Sequence, residues 1–303
     1  MYTADDVTVL IATKDRIPDL RETLESLCKL NPKPHAIYIV DNSITYTSKT
    51  TVAEFSKRTR IHSFHQPICG KSRSLNLLLD NLRTRVCLFT DDDVRVPNTW
   101  VSCMLGQLNK SNSIAVQGEI HIPTSYLTDD LTSEERLALF EIRNLDDQFS
   151  RSPFLIGANM AIAWHRCDDL RFDENTGPGA LGYMDDTLIF LNLIDRGETI
   201  AYSNCPVNHY FQLARINKPT PIFDGIKHGR SVAYVEQIRS LPIRKGLLLF
   251  CLGRLIRMTL YWIAFKIYPK KYVSTLRQHA TAFFHYWFRL RYALAPLAQT
   301  EKS

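Results

Sequence analysis

Short apolar runs alternate with amphipathic stretches between positions 7 and 89, and this alternation restricts the chain to a small set of folds. The apolar runs are rich in residues that favour strands, and the stretches between them carry leucines at helical spacing. The runs cover residues 7–12, 37–40, 61–64 and 86–89. Strands that alternate with helices predict an α/β fold with a mostly parallel central sheet flanked by helices, where ligands bind beyond the carboxyl ends of the strands.

Acidic residues follow three of these four predicted strands. Asp15 lies just beyond the first strand, Asp41 follows the second, and three successive aspartates follow the fourth at positions 91–93. The chain has neither a Gly-rich turn after its first strand nor the G-x-x-x-x-G-K-[ST] pattern of a P-loop. The sequence therefore does not favour a dinucleotide-dependent oxidoreductase or an ATPase.

Asp91 and Asp93 occupy alternate positions after an apolar strand, so an extended turn could direct both carboxylates to one point. Two such oxygen donors suit a hard divalent cation, Mg²⁺ or Mn²⁺, that also binds substrate phosphates. His209 follows another predicted strand and could add an imidazole ligand. Plainer explanations stay open, because acidic turns are common on protein surfaces and a single histidine is often only packed or solvated.

Seven segments between positions 7 and 210 resemble, in chain order, glycosyltransferase family 2. They are VTVLIATKDR, IYIVDNS, GKSRSLN, VCLFTDDDVRVPNTW, FLIGANMAI, RFDENTGPGALGYMDD and DRGETIAYSNCPVNH. The resemblance implies a GT-A fold and an inverting, metal-dependent enzyme that uses a nucleotide sugar.

The resemblance also implies a role for each matching residue. Asp41 would contact the base of the nucleotide, and uracil is the base we expect. The full set for the nucleotide sugar is Thr13, Asp15, Asp41, Gly70, Lys71, Arg73, Asp91 and Asp92. The implied metal ligands are Asp91, Asp93 and His209, and the implied acceptor residues are Gly157, Ala158 and Asn159.

The acidic pair of the family, usually Glu-Asp, is Asp185-Asp186 in this chain, and the resemblance makes Asp186 the general base. Such a base takes the proton of the attacking hydroxyl, while a metal and nearby cations stabilise the leaving nucleoside diphosphate. Both aspartates could instead cap a helix, and we expect one to cap and the other to catalyse. Lys71 and Arg73 could likewise be a solvated helix start.

The C-terminal part of the chain is basic and apolar. Positions 239–300 hold 11 of the 37 Lys and Arg residues and none of the 31 Asp and Glu residues. The apolar stretch 247–268 is interrupted by Arg254 and Arg257, and each arginine would cost about 2.5–3.5 kcal/mol at the centre of a membrane span. A helical wheel places both arginines and Tyr261 on one side and the apolar residues on the other.

This pattern predicts helices that lie in the plane of a membrane surface, through residues 244–294, rather than a span. The alternative is that the same helices pack on the catalytic domain or on a second subunit. Binding of nucleic acid is not favoured, because the basic residues are interleaved with long apolar faces. Seven single cysteines and an acidic N-terminus without a signal sequence indicate the cytoplasmic side of an inner membrane.

Taken together, the sequence predicts a GT-A domain over residues 1–225 and a basic amphipathic helical region over 226–303. A polar stretch at 123–152 is expected to form a flap near the site. The expected reaction is sugar transfer to a glycan or lipid-linked acceptor, in the synthesis of a bacterial surface polysaccharide or lipopolysaccharide. A nucleotidyltransferase and a non-catalytic nucleotide-sugar-binding membrane protein are the alternatives.

Overall fold

The computed structural model describes residues 1–121, 123, 155–210, 220–240 and 246–294, which fall into two units. Within the described residues, the first unit comprises Met1–Pro123, Asn144–Ala180 and Asp185–Phe211. The second comprises Leu181–Met184 and the described residues after position 212. The flap predicted at 123–152 lies, apart from position 123, outside the described residues.

One sheet forms the centre of the first unit. Its strands are β1 (Val7–Thr13), β2 (Ala36–Asp41), β3 (Ile61–His65), β4 (Val86–Phe89), β5 (Val94–Arg95), β6 (Ala115–His121), β7 (Met160–Ile162) and β8 (Ile200–His209). Their order across the sheet is β3-β2-β1-β4-β7-β6-β8-β5. The first four strands pair in parallel, as do β6 and β8, whereas β7 and β5 run antiparallel to their neighbours. The mostly parallel sheet predicted from the sequence is confirmed.

Helices alternate with these strands along the chain. In the first unit they are α1 (Ile17–Cys28), α2 (Lys49–Phe55), α3 (Lys71–Asp80), α4 (Trp100–Ser111) and α5 (Asp185–Asp195). Helix α1 shows why they form, because Pro18 occupies its first turn, where no backbone N–H is needed. Its leucines at positions 20, 24 and 27 share one face and are buried against the sheet side of the unit.

Strands β1, β2 and β4 are buried along almost their whole length. A parallel strand whose two faces are both covered reads as a continuous apolar run rather than an alternating one, which is the pattern that the sequence shows at these positions. Burial also fixes the register, because a shift of one residue would exchange the two faces of each strand.

The parallel register brings the carboxyl ends of β1, β2 and β4 to one edge of the sheet. Thr13 at the end of β1 pairs with Asp41 at the end of β2. On the other side of β1, Leu10 pairs with Phe89, the last residue of β4. The chain after Phe89 therefore runs past the end of β1, and the aspartates at 91–93 lie at the same edge as Thr13 and Asp41.

Three helices form most of the described part of the second unit: α6 (Thr220–Ile238), α7 (Leu247–Ile267) and α8 (Pro269–Leu294). Helices α6 and α8 pack closely, because a Cβ atom at Gly225 or Gly229 would overlap a backbone carbonyl oxygen of α8. Helix α6 runs without a break across position 225, where the sequence suggested a boundary between domains. The division into a catalytic and a helical domain stays a prediction.

Helix α7 exposes most of its apolar residues. Leu249, Ile256 and Trp262 are 73%, 60% and 52% exposed. Among the described helices, α7 is the one whose length and composition would allow it to cross a membrane, and 11% of its most apolar stretch is buried. Its opposite side packs on α8, where Arg254 lies 3.0 Å from His279 Nδ1.

Candidate active site

The three predicted metal ligands come together in the first unit. The ligand atoms of Asp91, Asp93 and His209 all lie within 4.8 Å of one another. Pairing between β5 and β8 produces this arrangement, because Val94 lies opposite His209 and so carries the preceding residue, Asp93, next to the imidazole. His209 Nε2 donates a hydrogen bond to Asp93 Oδ1 at 2.9 Å.

Two carboxylates and one imidazole form a donor set that fits Mn²⁺ well and accepts Mg²⁺ with additional water ligands. In this structure protein cations neutralise the carboxylates. Lys71 Nζ lies 2.6 Å from Asp91 Oδ1, and Arg16 Nη1 lies 2.6 Å from Asp93 Oδ2. A metal ion could replace the proton in the hydrogen bond between His209 Nε2 and Asp93 Oδ1, and both residues would then be ligands.

Both carboxylates are ionised at neutral pH. Burial alone would raise the pKa of Asp91, but the charge and hydrogen bond of Lys71 together with the charge effect of His209 outweigh it, and the pKa lies below its ordinary value. Burial opposes ionisation of Asp93 too, and the hydrogen bond from His209 and the charge of Arg16 bring its pKa well below the ordinary value. Anionic carboxylates are the form that a metal ion requires.

Asp92 points into the protein rather than into the site. Its side chain is fully buried. Its carboxylate accepts a hydrogen bond from Thr13 Oγ1 at 2.6 Å and forms an ion pair with Arg16. Burial is the main cause that raises the pKa of Asp92 to about 7. Thr13 and Asp92, both predicted at the nucleotide sugar, are thus joined by a buried hydrogen bond beside the predicted metal ligands, and their contact with the nucleotide sugar stays a prediction.

The acidic pair begins helix α5. Asp186 Oδ1 accepts the backbone N–H of Thr187 at 2.7 Å, and Asp186 Oδ2 accepts the backbone N–H of Gly157 at 3.0 Å. Burial, followed by repulsion from Asp185, raises the pKa of Asp186 to about 7. Burial also raises the pKa of Asp185. A carboxyl whose pKa lies near neutrality is suited to general acid–base chemistry.

Lys71 lies between the predicted metal ligands and the acidic pair. Burial alone would lower its pKa, but the carboxylates of Asp91, Asp185 and Asp186 outweigh it and raise the pKa above the ordinary value. A Cβ atom on Gly157 would lie 3.7 Å from Lys71 Nζ. The Lys71 ammonium therefore interacts electrostatically with Asp91 and with the acidic pair Asp185-Asp186, so these carboxylates belong to one charged site.

Asp41 organises the loop that follows β2. Its fully buried carboxylate accepts the backbone N–H of Ser43 at 2.8 Å and that of Ser48 at 2.6 Å. Burial would raise its pKa, but hydrogen bonding by the side chains and backbones of Ser43 and Ser48 together outweighs burial and lowers it. The backbone N–H of Asp15 donates to Ser43 Oγ at 3.0 Å. Asp15 and Asp41, both predicted at the nucleotide, are thus joined through one serine.

Two further residues predicted at the nucleotide sugar lie at helix α3. Gly70 immediately precedes it and has a φ of +144°, a conformation that favours glycine. Arg73, in the first turn of the helix, donates from Nε to the exposed carboxylate of Glu174 at 2.7 Å. Gly70 leads directly into the charged site at Lys71, while Arg73 is paired at the surface.

The three residues predicted at the acceptor differ in exposure. Gly157 is partly exposed and contacts Asp186, whereas Ala158 and Asn159 are buried. Asn159 donates from Nδ2 to the backbone carbonyl oxygens of Glu119 and Cys205 at 2.7 and 2.8 Å. It also accepts from Trp100 Nε1 at 2.8 Å, so its side chain links three elements of the first unit.

Sequence reasoning missed two residues of this region. Arg16 bridges Asp92 and Asp93, and Asn42 binds the segment before Lys71. Both lie just beyond the carboxyl end of a strand, as the predicted aspartates do. The sequence prediction was based on acidic side chains at these positions, and neither Arg16 nor Asn42 is acidic.

A protein-family model described as Glycosyl transferase family 2 matches residues 8–163, more than half of the chain. The chain belongs to glycosyl transferase family 2. The matched segment runs from the second residue of β1 through strand β7, includes the aspartates at 91–93, and ends before the acidic pair and His209.

A curated relative from the fungus Pyricularia oryzae, named a type 2 glycosyltransferase, is 33% identical over 105 residues. The match covers 34% of this chain and 21% of that relative, so the chain spans about a fifth of the relative's length. This likeness agrees with membership of the family.

Solved structures show the same fold. A mannosyltransferase from Pyrobaculum calidifontis, in complex with GDP-Man and Mn²⁺, matches with a TM-score of 0.60 and 14% identity over 94% of this chain and 87% of its own. Glucosyl-3-phosphoglycerate synthase from Mycobacterium tuberculosis, in complex with phosphoglyceric acid, matches with a TM-score of 0.53 and 16% identity over 79% and 81%. The GT-A architecture that the resemblance implied is confirmed.

Proposed function

We propose that this glycosyltransferase moves a sugar from a nucleotide sugar onto a hydroxyl group, with inversion at the anomeric carbon. The observation that carries the proposal is the position of Lys71. Its ammonium forms an ion pair with the proposed metal ligand Asp91 and is also attracted electrostatically by Asp185 and Asp186. The proposed leaving-group site and the proposed base would therefore lie close together in one charged region of the first unit, as a direct displacement requires.

The residues divide the work between leaving group and nucleophile. Asp91, Asp93 and His209 would hold Mg²⁺ or Mn²⁺, which supplies positive charge to the departing diphosphate. Lys71 adds a second cation on the same side. Asp186 takes the proton of the attacking hydroxyl, because its raised pKa makes the carboxylate a usable base at neutral pH. One base opposite one leaving group gives inversion.

A UDP-sugar is the donor that we propose. Asp41 shapes the loop at 42–48 through its two backbone hydrogen bonds, and with Thr13 and Asp15 this loop would form the pocket of the base. The mannosyltransferase neighbour binds GDP-Man, so a GDP-sugar is the first alternative to test. The acceptor that we propose is a glycan or a lipid-linked glycan bound on the side of Gly157, in surface polysaccharide or lipopolysaccharide synthesis.

The test is to incubate the purified protein with a panel of nucleotide sugars and Mn²⁺, and to identify the released product. We expect a nucleoside diphosphate, released at a rate that falls when Mn²⁺ is chelated. Release of pyrophosphate instead would identify a nucleotidyltransferase. Binding of nucleotide sugars without consumption, over the whole panel, would identify a binding protein and would overturn the proposal.

We also propose that helix α7 docks on a membrane surface. The structure turns the Arg254 side of this helix toward α8, since Tyr261 also stacks on His279 with ring centroids 5.0 Å apart. The side left exposed is apolar, and Arg257 and Lys266 are exposed beside it. A mixed apolar and basic surface fits the interface of anionic lipids, where a lipid-linked acceptor would also be found.

Flotation with vesicles of neutral or anionic lipid tests this surface. We expect binding to anionic vesicles, and loss of binding when Leu249→Asp and Ile256→Asp are combined, because each places a charge on a strongly exposed apolar position. Ile194→Asp is the control, since Ile194 is an apolar residue of α5 that is 44% exposed. Unchanged flotation of the α7 double variant would refute lipid docking, and a change in oligomeric state would point to a second copy.

A further inference from the structure

The side chain of Asn42 holds the segment that enters helix α3. Its Nδ2 donates to the backbone carbonyl oxygens of Gln66 and Ile68 at 2.5 and 2.8 Å, and its Oδ1 accepts the backbone N–H of Gly70 at 2.9 Å. Carbonyl oxygens only accept and backbone N–H groups only donate, so these partners fix the orientation of the amide. Asn42 is 5% exposed, and its hydrogen bond with Gly70 is buried.

The held segment ends at the residue that connects the two acidic groups. Gly70 has the positive φ that turns the chain into α3, and Lys71 is the first residue of that helix. The backbone N–H of Lys71 donates to the carbonyl oxygen of Pro178 at 2.9 Å. Asn42 on one side and Pro178 on the other thus fix the backbone from which the ammonium reaches Asp91.

We infer that Asn42 is a positioning residue for the transfer reaction, acting through Lys71. This inference rests on the proposed function, because it assigns Asn42 to the step in which Lys71 stabilises the leaving group. The three hydrogen bonds of the Asn42 side chain connect the end of β2 to the segment that begins α3 and restrict its movement. The position of a charged group in a site of this kind matters strongly, since a displacement of about 1 Å can cost about 100-fold in rate.

Helix α3 offers a matched control at Asn76. This second asparagine also clamps a loop through its amide, donating from Nδ2 to the carbonyl oxygen of Phe172 and accepting the N–H of Phe172, both at 2.9 Å. It lies five positions beyond Lys71 along the helix and has no part in the charged site. Loss of either clamp should lower the melting temperature, but only loss of Asn42 should disturb Lys71.

The first experiment measures kcat and KM for donor turnover in Asn42→Ala, Asn76→Ala, Lys71→Met and the double variant Asn42→Ala/Lys71→Met. We expect kcat/KM to fall about 10- to 100-fold in Asn42→Ala and to change less than about 3-fold in Asn76→Ala. The double variant should be no slower than Lys71→Met, because the effect of Asn42 passes through Lys71. Equal effects of the two asparagine variants, or additive effects in the double variant, would overturn the inference.

A second readout separates this inference from the proposed function. Labelling of lysines with an acylating reagent, followed by mass spectrometry, should show Lys71 protected in the wild type and labelled several-fold faster in Asn42→Ala, but not in Asn76→Ala. If the wild type turns over no nucleotide sugar, the proposed function fails, and labelling still decides the positioning role. Asn42→Asp keeps the acceptor for Gly70 and loses both donors, and it replaces Asn42→Ala if that variant does not fold.

Discussion

Asp91 and Asp93, which follow β4, and the aspartates that begin α5 differ in their electrostatic surroundings. Asp91 is half-buried and Asp93 is buried, but both have cationic side chains beside them, and the pKa of each is lowered. Asp186 is also half-buried, but the largest charge effect on it comes from Asp185, and its pKa is raised to about 7. The same residue type is therefore kept ionised in one place and close to half-protonated in the other.

This difference assigns opposite tasks to the two groups. Carboxyls that stay anionic over a wide pH range suit metal binding, while a carboxyl that titrates near neutrality suits proton transfer. Lys71 lies between them and lowers the pKa on both sides. Variants that remove one acidic group and leave the other intact test whether the two tasks are separate.

The largest effect should come from Asp186→Asn. An amide cannot accept the proton of the attacking hydroxyl, and we expect kcat to fall at least about 1,000-fold, near the upper range for loss of a general base. Steady-state kinetics with the best donor measures this loss. Retention of full turnover in Asp186→Asn would remove Asp186 from the reaction and leave Asp185 as the candidate base.

Removal of one metal ligand should have the next largest effect. In His209→Ala the imidazole is lost while Asp91 and Asp93 remain, so we expect about a 10- to 100-fold higher Mn²⁺ concentration for half-maximal turnover. A Mn²⁺ titration of the rate, after chelation of bound metal, measures it. Equal Mn²⁺ requirements in the variant and the wild type would exclude His209 as a ligand.

The pH dependence of turnover should report the acidic pair. Because the base acts in its ionised form and the pKa of Asp186 is about 7, kcat should rise with pH and reach about a tenth of its plateau at pH 6. Lys71 lowers this pKa, so Lys71→Met should move the midpoint to higher pH. Rates measured at saturating Mn²⁺ over a range of pH test both expectations. A midpoint that is the same in Lys71→Met and in the wild type would show that Lys71 does not affect the pKa of the base.

The smallest expected effect is on stability. Asp186 ionises near pH 4 in the unfolded chain and near pH 7 in the folded one, so its ionisation makes folding less favourable as pH rises from 4 to 7. Asp186→Asn loses one of the two backbone hydrogen bonds at every pH, so we expect its melting temperature, relative to the wild type, to be about 2–4 °C higher at pH 8 than near pH 4. Thermal unfolding of both proteins at both pH values measures this change, and a difference in melting temperature that is the same at the two pH values would contradict the raised pKa of Asp186.

The fold was predictable from the sequence because its physical signals are local. A strand buried on both faces must be continuously apolar, and a helix on the sheet must repeat its leucines, so the runs at 7–12 and 86–89 indicated their own structure. The antiparallel partners were less visible. Strands β5 and β7 span two and three residues, which is too short to show a period.

The sequence pointed to the acidic residues of the candidate site, but not to the residues that hold them in position. Position after a strand selected Asp91 and Asp93, but spacing could not show that Asp92 between them turns inward to Thr13. Nor could it show the bond from Asn42 to Gly70, since a hydrogen bond between residues 28 positions apart leaves no periodic signal. Such contacts depend on how the strand ends meet, which the fold decides.

Calorimetric binding of UDP with Mn²⁺ to Asp93→Asn and Asp186→Asn tests most directly whether the two acidic groups have separate tasks in one site. Loss of Mn²⁺-dependent binding is expected in Asp93→Asn, because a metal ligand is removed, while Asp186→Asn should bind UDP within about 3-fold of the wild type, since its task is proton transfer. Undiminished binding by Asp93→Asn, or loss of binding in Asp186→Asn, would contradict this division.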